Sequence, residues 1–540
     1  MSDPLPSLPD DLNALKAFAL AMAEKAARAE AEVVALKTIN TTADARIARL
    51  MSILKSLERA HHGKRSEKLG PDATEQQSFV FEEIETGIAE LKAGLDKAAG
   101  LAKTQRAPRP RKGFAAHLER IDVVIEPEIP ADCLGLEKVR IGEDVSERLD
   151  VVPAFGGKTV HRTVFFSASL RVIVTHRPKY AFRDADGVVQ ALAPNHIIEG
   201  GIPTEALLAM IAVSKYADGL PLYRQAAIYA RDGVDLDRSL TAPWMGRVGF
   251  ELEPLAEHLM QRIKQAERIF ADETTLPTLN PGAGKAKTAY LWAYARDDRP
   301  FGGSGPPMVA YHFEDSRAGT CVDRHLAGYR GICQVDGYNA YQHLEKPERG
   351  DNSAIVLAGC WAHVRRKFYD LHANGESELA TATVERMRKL WAVEDEVRGH
   401  TPEIRAAARR QTSASVIDEL FKLWEKQLPR LSQKSKLADA IRYATSRRRS
   451  LERFLDDGRI EIDSNVVERA IRPQTITRKN SLFAGSDGGG RTWATIASLL
   501  QTARMNDVDP VAWLKLTLER LADNWPNSRI DELMPWNFKA

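Results

Sequence analysis

Apolar residues recur with a seven-residue period near the start of the chain, between residues 12 and 57. Two interleaved series hold fourteen positions, of which thirteen are apolar. The series are Leu12, Ala19, Ala26, Val33, Asn40, Ile47, Leu54 and Leu15, Met22, Ala29, Leu36, Ala43, Leu50, Leu57. This heptad predicts a coiled coil between copies of the chain, with a polar residue in the first series fixing the register. One long amphipathic helix packed on its own protein is the alternative, because the many alanines weaken the seam.

The period changes to two between about residues 118 and 195, where stretches such as RIDVVIEP and SLRVIVTH predict β-strands. Residues 203–250 return to a helical period. Here an apolar helix, a turn at Gly233 and a second helix beginning near Asp237 or Ser239 have the order of a helix-turn-helix. Pro243 should be tolerated only in the first turn of that second helix. The segment is either a DNA-reading unit or a helical packing unit.

Further along, the pattern alternates between strands and helices. RIFADE, TAYLWAYARDD and MVAYHFEDS predict three strands in succession, and a helix, strand, helix, strand and helix follow up to WAHVRRKFYDLH. That order predicts a mixed sheet with helices on its faces. Residues 375–457 are almost wholly helical and charged, and they predict a helical block inserted before the stretch EIDSNVVERAIRPQTITRKNSLFAGSDGGG. The predicted fold class is therefore multidomain α+β.

Composition narrows the class of protein. A chain of 540 residues with 44% apolar and 28% charged residues is typical of three or four globular domains. Four cysteines do not make a disulfide framework, so we expect a reducing cytosol. We expect no membrane span and no signal peptide. Because the net charge is only +2, a DNA-binding surface has to come from local clusters. The stretch LAKTQRAPRPRKG is one such cluster, as a linker that lies on phosphates or as a plain solvated linker.

Three acidic residues are candidates for catalysis. Asp272 and Asp336 end predicted strands, where an α/β sheet presents its functional groups. If the strands are neighbours, the carboxylates repel each other and favour a hard cation, Mg²⁺ or Mn²⁺. Glu468, brought in on a helix, would complete a two-metal site for phosphoryl displacement. Since side chains alternate along a strand, only one of Asp272 and Glu273 can face the site, and we favour Asp272. Asp336 precedes Gly337 and could instead be a simple turn residue.

Glu468 also has a structural interpretation. It lies three residues after Asn465, which is helix-capping spacing, and four residues before Arg472, which is ion-pair spacing. Pro473 should end its helix after about two turns. From the residues alone, a structural and a catalytic role are about equally supported.

Basic residues surround these acids in the sequence and could contact phosphates, with solvated faces as the alternative. They are Arg365, Arg366, Arg447, Arg448, Arg469, Arg472, Arg478 and Lys479. The stretch GSDGGGR lacks the Gly-Lys-Ser/Thr ending of a nucleotide-binding loop, so it predicts a flexible loop before the helix TWATIASLLQTARM. Cys360 and His363 have the spacing of half a zinc site, but no second pair follows nearby. We therefore predict no zinc there and place His363 on a helix near the edge of the active site.

Taken together, these motifs resemble those of the insertion-sequence-66 family of transposases. The matching stretches run in family order over nearly the whole chain. They are KRSEKL, IGEDVSERLDVVPA, RPKYA, SKYADGLPLYRQAAIYARDGVDLDRS, ADETTLPTL, LWAYARDDRPFGG, VDGYNAY, GCWAHVRRKF, SNVVERAIRP, RKNSLFAGSDGGG and RIDELMPWN. Their collinearity is far more specific than any single motif.

The resemblance implies a ribonuclease-H-like catalytic domain whose Asp-Asp-Glu triad falls on Asp272, Asp336 and Glu468. It implies that two Mg²⁺ (or Mn²⁺) ions support cleavage at the terminal inverted repeats of a mobile element. The freed 3′-hydroxyl would then attack target DNA. The implied location is the bacterial cytoplasm, in association with the nucleoid, and small accessory proteins of the same element are possible partners.

The expected domains combine this resemblance with the residue patterns. They are a leucine-zipper-like coil (1–70), a helix and basic linker (71–117), a degenerate zinc-finger-like β domain (118–200), a helix-turn-helix-like DNA-binding region (201–262), the first part of the catalytic domain (263–374), a helical insertion (375–457), the second part of the catalytic domain (458–495) and a C-terminal helical region (496–540).

One departure from the family concerns the second domain, which resembles a zinc finger with cysteine pairs. Here PADCLGLEKV keeps only Cys133, and RPKYAFRDADG has no cysteine. Four tetrahedral ligands cannot be assembled locally, so we predict no structural zinc in this domain. Two other functions stay open. One is a catalytically silent DNA-binding relic of a transposase, and the other is a two-metal nuclease that cuts without joining.

Overall fold

A computed structural model describes residues 85–95, 113–152, 155–159, 162–166, 169–183, 186–279, 286–345, 355–375 and 377–539. The predicted coiled coil at 12–57, and with it the predicted homo-oligomer, lies outside the described residues, as does most of the basic linker. In the described part of the chain, no helix is both long and apolar enough to cross a membrane.

The first folded unit is a small β domain, as the two-residue period predicts. Its strands are β1 (Glu119–Val124), β2 (Lys138–Val152), β3 (Phe155–Thr159), β4 (Arg162–Phe166), β5 (Ser169–Phe182) and β6 (Val189–Gln190). β5 is central, with β1 parallel and β2 antiparallel to it, while β3 and β4 form a separate hairpin. Buried side chains alternate along β5, so one face of the sheet packs inward. Cys133 is a buried free thiol beside Tyr180 and Phe182, in a small apolar cluster.

One helix, α1 (85–95), precedes the β domain in the chain. Three helices follow it, α2 (Glu205–Tyr216), α3 (Leu222–Arg231) and α4 (Arg238–Lys264). Gly233 forms the predicted turn with φ +73°, and the Asp237 carboxylate caps α4 by accepting from the Ser239 amide at 2.7 Å. The expectation for Pro243 is wrong. It is the sixth residue of α4, in the second turn.

Tertiary packing is the reason that α4 tolerates its two internal prolines, Pro243 and Pro254. The helix is 27 residues long and buries Trp244, Met245 and Val248 in the main core. The free energy of that burial offsets the hydrogen bond that a proline removes. Such burial is what a packing unit requires, while DNA reading by this segment stays a prediction.

The central sheet is mixed, as predicted. Its elements in chain order are β7 (Arg268–Leu279), β8 (Ala286–Arg296), β9 (Met308–Glu314), α5 (Gly319–His325), β10 (Gly331–Gln334), α6 (Asn339–Gln342), β11 (Ile355–Ala358) and α7 (Trp361–Ala373). The strand order is β11-β10-β7-β8-β9. β7, β8 and β9 pair antiparallel, whereas β10 is parallel to both β7 and β11. The predicted strand ends were inexact, since β7 continues to Leu279 and β10 stops at Gln334.

A helical block follows the sheet, in agreement with the helical pattern of residues 375–457. It contains α8 (Glu378–Val397), α9 (Pro402–Ala408), α10 (Ala414–Gln427), α11 (Lys436–Thr445) and α12 (Arg448–Asp456), with a π turn at Arg409–Ser413. The block has its own apolar core, in which Trp361 of α7 meets Phe421 and Phe368 stacks on Trp424. Because α7 follows β11 directly and contributes Trp361 and Phe368 to this core, it connects the helical block to the sheet.

Three α-helices come next, α13 (Asn465–Ser481), α14 (Asp487–Met505) and α15 (Pro510–Ala522), and 3₁₀ turns at Asn527–Leu533 and Pro535–Asn537 complete the described fold. The prediction that Pro473 ends the Glu468 helix is wrong, because α13 runs eight residues beyond it. The helix is held on the sheet, where the Tyr311 hydroxyl donates to the Ala470 carbonyl at 2.5 Å. Packing of the apolar face of α13 thus outweighs the local preference of proline.

The glycine triplet is also helical, which corrects the prediction of a flexible loop. Gly488, Gly489 and Gly490 form the first turn of α14, and the Ser486 hydroxyl caps it by accepting from the Gly489 amide at 3.0 Å. A Cβ atom on Gly488 would lie 2.9 Å from the Cα of Gly87 in α1, and one on Gly490 would overlap the Phe313 ring. The glycines are needed because this turn packs directly against α1 and β9.

Candidate active site

The register of the central sheet brings Asp272 and Asp336 together. Gln334 pairs with Phe270 in the parallel β7–β10 pair, so the residues two positions further on, Asp336 and Asp272, lie side by side. Asp336 is also part of a turn, because its Oδ1 accepts from the Tyr338 amide at 2.8 Å. Gly337 holds φ +96° in that turn. Asp336 is therefore both a turn residue and the neighbour of Asp272, so the two interpretations of this residue do not exclude each other.

Glu273, the neighbour of Asp272, is occupied elsewhere. Its Oε1 accepts from Arg317 Nε at 2.8 Å and its Oε2 from the Tyr341 hydroxyl at 3.1 Å. Asp272 has one hydrogen bond of its own, in which Oδ1 accepts from the Glu273 amide at 2.8 Å. The geometry is thus compatible with Asp272, and not Glu273, as the acid that faces Asp336.

Glu468 lies in the first turn of α13, next to the first turn of α7. Its Oε1 is 3.6 Å from His363 Nδ1 and its Oε2 is 3.5 Å from Arg366 Nη2. The Ser464 hydroxyl donates to Oε1 at 3.4 Å. Glu468 therefore pairs with α7 and not with Arg472, the partner that helix spacing suggested.

The negative charges of Asp336 and Glu468 affect the carboxyl group of Asp272. The pKa of Asp272 is raised to about 7, chiefly because the carboxyl group is buried, and then because Asp336 is negative nearby. Glu273 and Glu468 raise the pKa of Asp272 further. Carboxylates that repel one another in a partly buried site are the arrangement that a divalent cation relieves. The donor set therefore fits Mg²⁺ or Mn²⁺.

Basic and aromatic groups from the helical block border the acids. Arg447 donates to the Gly337 carbonyl at 2.9 Å and stacks over the Tyr443 ring at 4.1 Å. The Tyr443 hydroxyl donates to the Asp336 carbonyl, and Lys367 lies 4.6 Å above the same ring. Asp336, Gly337, Tyr443 and Arg447 line part of a cleft of about 360 Å³.

The remaining predicted phosphate contacts differ in their surroundings. Arg478 donates to the Thr274 and Thr275 hydroxyls, at 3.2 and 2.9 Å, on the part of β7 just beyond Asp272. Arg365 lies over the Tyr369 and Trp391 rings. Exposed positions are occupied by Arg366, Arg469, Arg472 and Lys479.

Arg448 is the least available of the predicted contacts. It forms ion pairs with Asp418, Glu425 and Glu452 at 3.0, 3.6 and 2.7 Å, and its guanidinium lies 4.5 Å over the Phe421 ring. Three carboxylates neutralise its charge, so a contact to phosphate is less favourable here than at the exposed arginines.

Comparison with known proteins connects this geometry to a family. The model of the IS66 family of transposases matches residues 200–492, a stretch that contains all three acids. The IS66 C-terminal element matches residues 498–536, and a model described as transposase C of IS166 homeodomain matches residues 49–123. The chain belongs to the IS66 transposase family.

Similar proteins are present in Sinorhizobium fredii. The protein y4qI is 63% identical over 546 residues, covering 99% of this chain and 98% of its own length. The protein y4jD is 41% identical, covering 90% of this chain and 93% of its own. The protein y4hP is 33% identical, covering 90% and 88%. All three are called uncharacterized, so the similarity supports the family and adds no specific activity.

Some residues of the candidate site could not be assigned from sequence. Tyr443 lies in no motif, and it reaches Asp336 only through folding of the helical block. Ser464 begins the stretch SNVVERAIRP, but that stretch did not assign it a contact with Glu468. His363 was expected on a helix near the site, and it lies on α7 against Glu468. The spacing of Cys360 and His363 was the sequence signal for this part of the site. It did not point to Glu468, the residue that His363 contacts, because Glu468 is far away in the sequence.

A pH-dependent effect of Asp272→Asn on stability follows from the raised pKa. Between the ordinary pKa of 3.8 and about 7, the folded chain keeps a proton on Asp272 that the unfolded chain releases. The stability of the metal-free wild-type protein therefore falls as the pH rises through this window. The Asp272→Asn variant does not lose stability in this way, because asparagine does not ionise. At pH 8 the variant should be more stable by roughly 1–4 kcal/mol, because each pKa unit corresponds to about 1.4 kcal/mol.

Urea unfolding in EDTA at pH 8 and at pH 4.5 measures this effect. The gain should shrink strongly at pH 4.5, where the wild-type carboxyl group is mostly protonated in the folded state. A gain of the same size at both pH values would mean that the charge of Asp272 is not its source.

Proposed function

We propose that this IS66 family protein is a DNA transposase that cleaves the ends of its insertion sequence and joins the freed 3′-hydroxyl to target DNA. The observation that carries the proposal is the convergence of Asp336 and Glu468 on Asp272, whose pKa their negative charges raise. The family match covers all three acids and supports the same assignment.

The topology of the sheet supports a ribonuclease-H-like catalytic domain. Three consecutive antiparallel strands are followed by two strands parallel to the first, and the order runs β9-β8-β7-β10-β11. The first and fourth of these strands are neighbours and carry Asp272 and Asp336. The helical block enters after the fifth strand and α7, and α13 returns with Glu468.

Asp272, Asp336 and Glu468 would hold two divalent cations, Mg²⁺ or Mn²⁺. When bound, such ions activate the attacking oxygen and stabilise the leaving oxygen of an in-line phosphoryl displacement. The carboxylates stay ionised when their repulsion is relieved by positive charge. The turn at Gly337 and the contacts of Glu468 with α7 fix the directions from which the acids approach.

Phosphate binding falls to the arginines and lysines around the acids. Arg366, Arg469, Arg472 and Lys479 are exposed and carry charge that DNA would neutralise. Arg447 and Arg478 are anchored by protein groups next to Asp336 and β7, which suits the orientation of a strand near the acids. Arg366 also contacts Glu468, so it would link the substrate backbone with the third acid.

An assay with labelled element ends and a supercoiled target plasmid tests the proposal. The full chain, Mg²⁺ and DNA that carries the terminal inverted repeats should yield cleaved ends and joined product. Cleavage without joining would reduce the function to that of a nuclease. A mobility shift with neither product, in Mg²⁺ and in Mn²⁺, would identify a silent DNA-binding relic.

A further inference from the structure

Beside the carboxylates, the fold assembles a second set of metal-binding atoms of a different chemical kind. Cys360, His363 and Glu468 each offer one ligand atom, and these sulfur, nitrogen and oxygen atoms all lie within 4.8 Å of one another. The proposed Mg²⁺ site uses carboxylate oxygens only. A mixed sulfur, nitrogen and oxygen set suits a borderline-soft ion instead.

Backbone contacts hold the three ligands in place. Cys360 is the N-cap residue of α7 and His363 is in its first turn, while Glu468 is in the first turn of α13. The two helix starts are joined because the Trp361 amide donates to the Ile462 carbonyl at 2.9 Å. The Ser464 amide also donates to Cys360 Sγ at 3.3 Å. The cluster therefore results from the fold itself and not from flexible surface side chains.

His363 Nδ1 shows that the cluster is incomplete as it stands. This atom is buried and has no hydrogen-bond partner among the described residues. Its 3.6 Å separation from Glu468 Oε1 is too long for a hydrogen bond. A buried polar atom without a partner is unfavourable, and a bound cation would use its lone pair.

We propose that Cys360 Sγ, His363 Nδ1 and the Glu468 carboxylate form a binding site for Zn²⁺. Zinc bonds of about 2.3 Å to sulfur and about 2.0 Å to nitrogen place tetrahedral ligands about 3.3–3.8 Å apart. Small side-chain rotations bring the observed atoms to that spacing. The His363 and Glu468 side chains are 21% and 25% exposed, so a fourth, water ligand has access. Binding releases the thiol proton to solvent.

The site has a consequence for activity, which rests on the proposed function. Glu468 belongs to both metal sets, and a carboxylate bound to Zn²⁺ beside α7 is withdrawn from Asp272 and Asp336. Zn²⁺ thus inhibits Mg²⁺-dependent cleavage by competing for one shared acid. The prediction of no zinc at Cys360 and His363 considered only nearby pairs, and Glu468 is 105 residues beyond His363.

Co²⁺ serves as the spectroscopic probe of the site in the full metal-free chain. Thiolate ligation should give a near-ultraviolet charge-transfer band that Zn²⁺ removes and excess Mg²⁺ does not. Cys360→Ser should abolish the band, and Cys133→Ser, which alters a buried free thiol of the β domain, should retain it. His363→Gln, at a partly exposed position, should weaken Co²⁺ binding at least tenfold. This second variant tests the site independently if the cysteine variant misfolds. An absent band, or a band that survives Cys360→Ser, overturns the site.

Asp336→Asn separates this inference from the proposed function. The band should persist in this variant, because Asp336 is not one of the three ligands. Zn²⁺ inhibition of cleavage is then compared in wild type and Cys360→Ser, each relative to its own zinc-free rate. The serine variant should need at least tenfold more Zn²⁺ for half-inhibition. Equal sensitivity would overturn the sharing of Glu468.

Discussion

Asp336→Asn is expected to lower Mg²⁺-dependent cleavage of element ends by at least two to three orders of magnitude, on the order of what a lost transition-state contact costs. The substitution keeps the size of the side chain and the acceptor for the Tyr338 amide, so the turn at Gly337 should survive. It removes one negative charge from the pair with Asp272, and with it much of the attraction for cations. Single-turnover cleavage of a labelled end measures the rate.

DNA binding should separate from catalysis in this variant. Affinity comes from the arginines and lysines around the site, so a mobility shift in Ca²⁺ should be within about threefold of wild type. Asp315→Asn is a matched control, because Asp315 is an exposed aspartate just beyond β9 with a long 3.8 Å ion pair to Lys287. It should cleave at the wild-type rate. Wild-type cleavage by Asp336→Asn would remove this residue from the site.

Glu394→Ala is expected to destabilise the helical block by about 3–5 kcal/mol, the usual cost of breaking a buried ion pair. Glu394 accepts from Arg409 Nε at 2.7 Å and Nη2 at 2.6 Å, and from Arg405 Nη2 at 3.3 Å. Both arginines are at most 1% exposed. Without the glutamate, Arg409 keeps only carbonyl partners, and Arg405 keeps its ion pair to Glu461 at 2.7 Å.

Urea unfolding followed by tryptophan fluorescence suits this test, because Trp361 and Trp424 lie in the core of the block. Glu385→Ala is the matched control, an exposed glutamate on the same helix α8, and it should change stability by less than about 0.5 kcal/mol. Similar losses for the two variants would mean that the buried ion pairs do not stabilise the block.

The architecture around the site was largely predictable, because strand and helix periods differ. The succession of strands and helices from β7 to α7 follows from that difference, and so does the helical block. Pro243, Pro473 and the glycine triplet were misjudged for a common reason. Local preference argues for a break at each position, whereas packing against distant elements holds the helix together.

The candidate site also has a part that was predictable from the sequence and a part that was not. Asp272 and Asp336 follow from their places at predicted strand ends, and parallel pairing then brings them together. The contacts of Glu468 with α7 depend on two helix starts being joined, which no local pattern encodes. Arg448 shows the converse, since two of its three neutralising acids, Asp418 and Glu425, come from α10, and charge along the sequence cannot reveal that pairing.

The place of Glu468 after the helical block sets the order in which the acids become available. Asp272 and Asp336 are synthesised before α13, which follows only when α8 to α12 have been made. A chain that ends between Asp336 and Glu468 therefore has two of the acids and lacks the third. Under the proposed function, a chain that stops before α13 cannot cleave DNA, because its metal site lacks one of the three carboxylates.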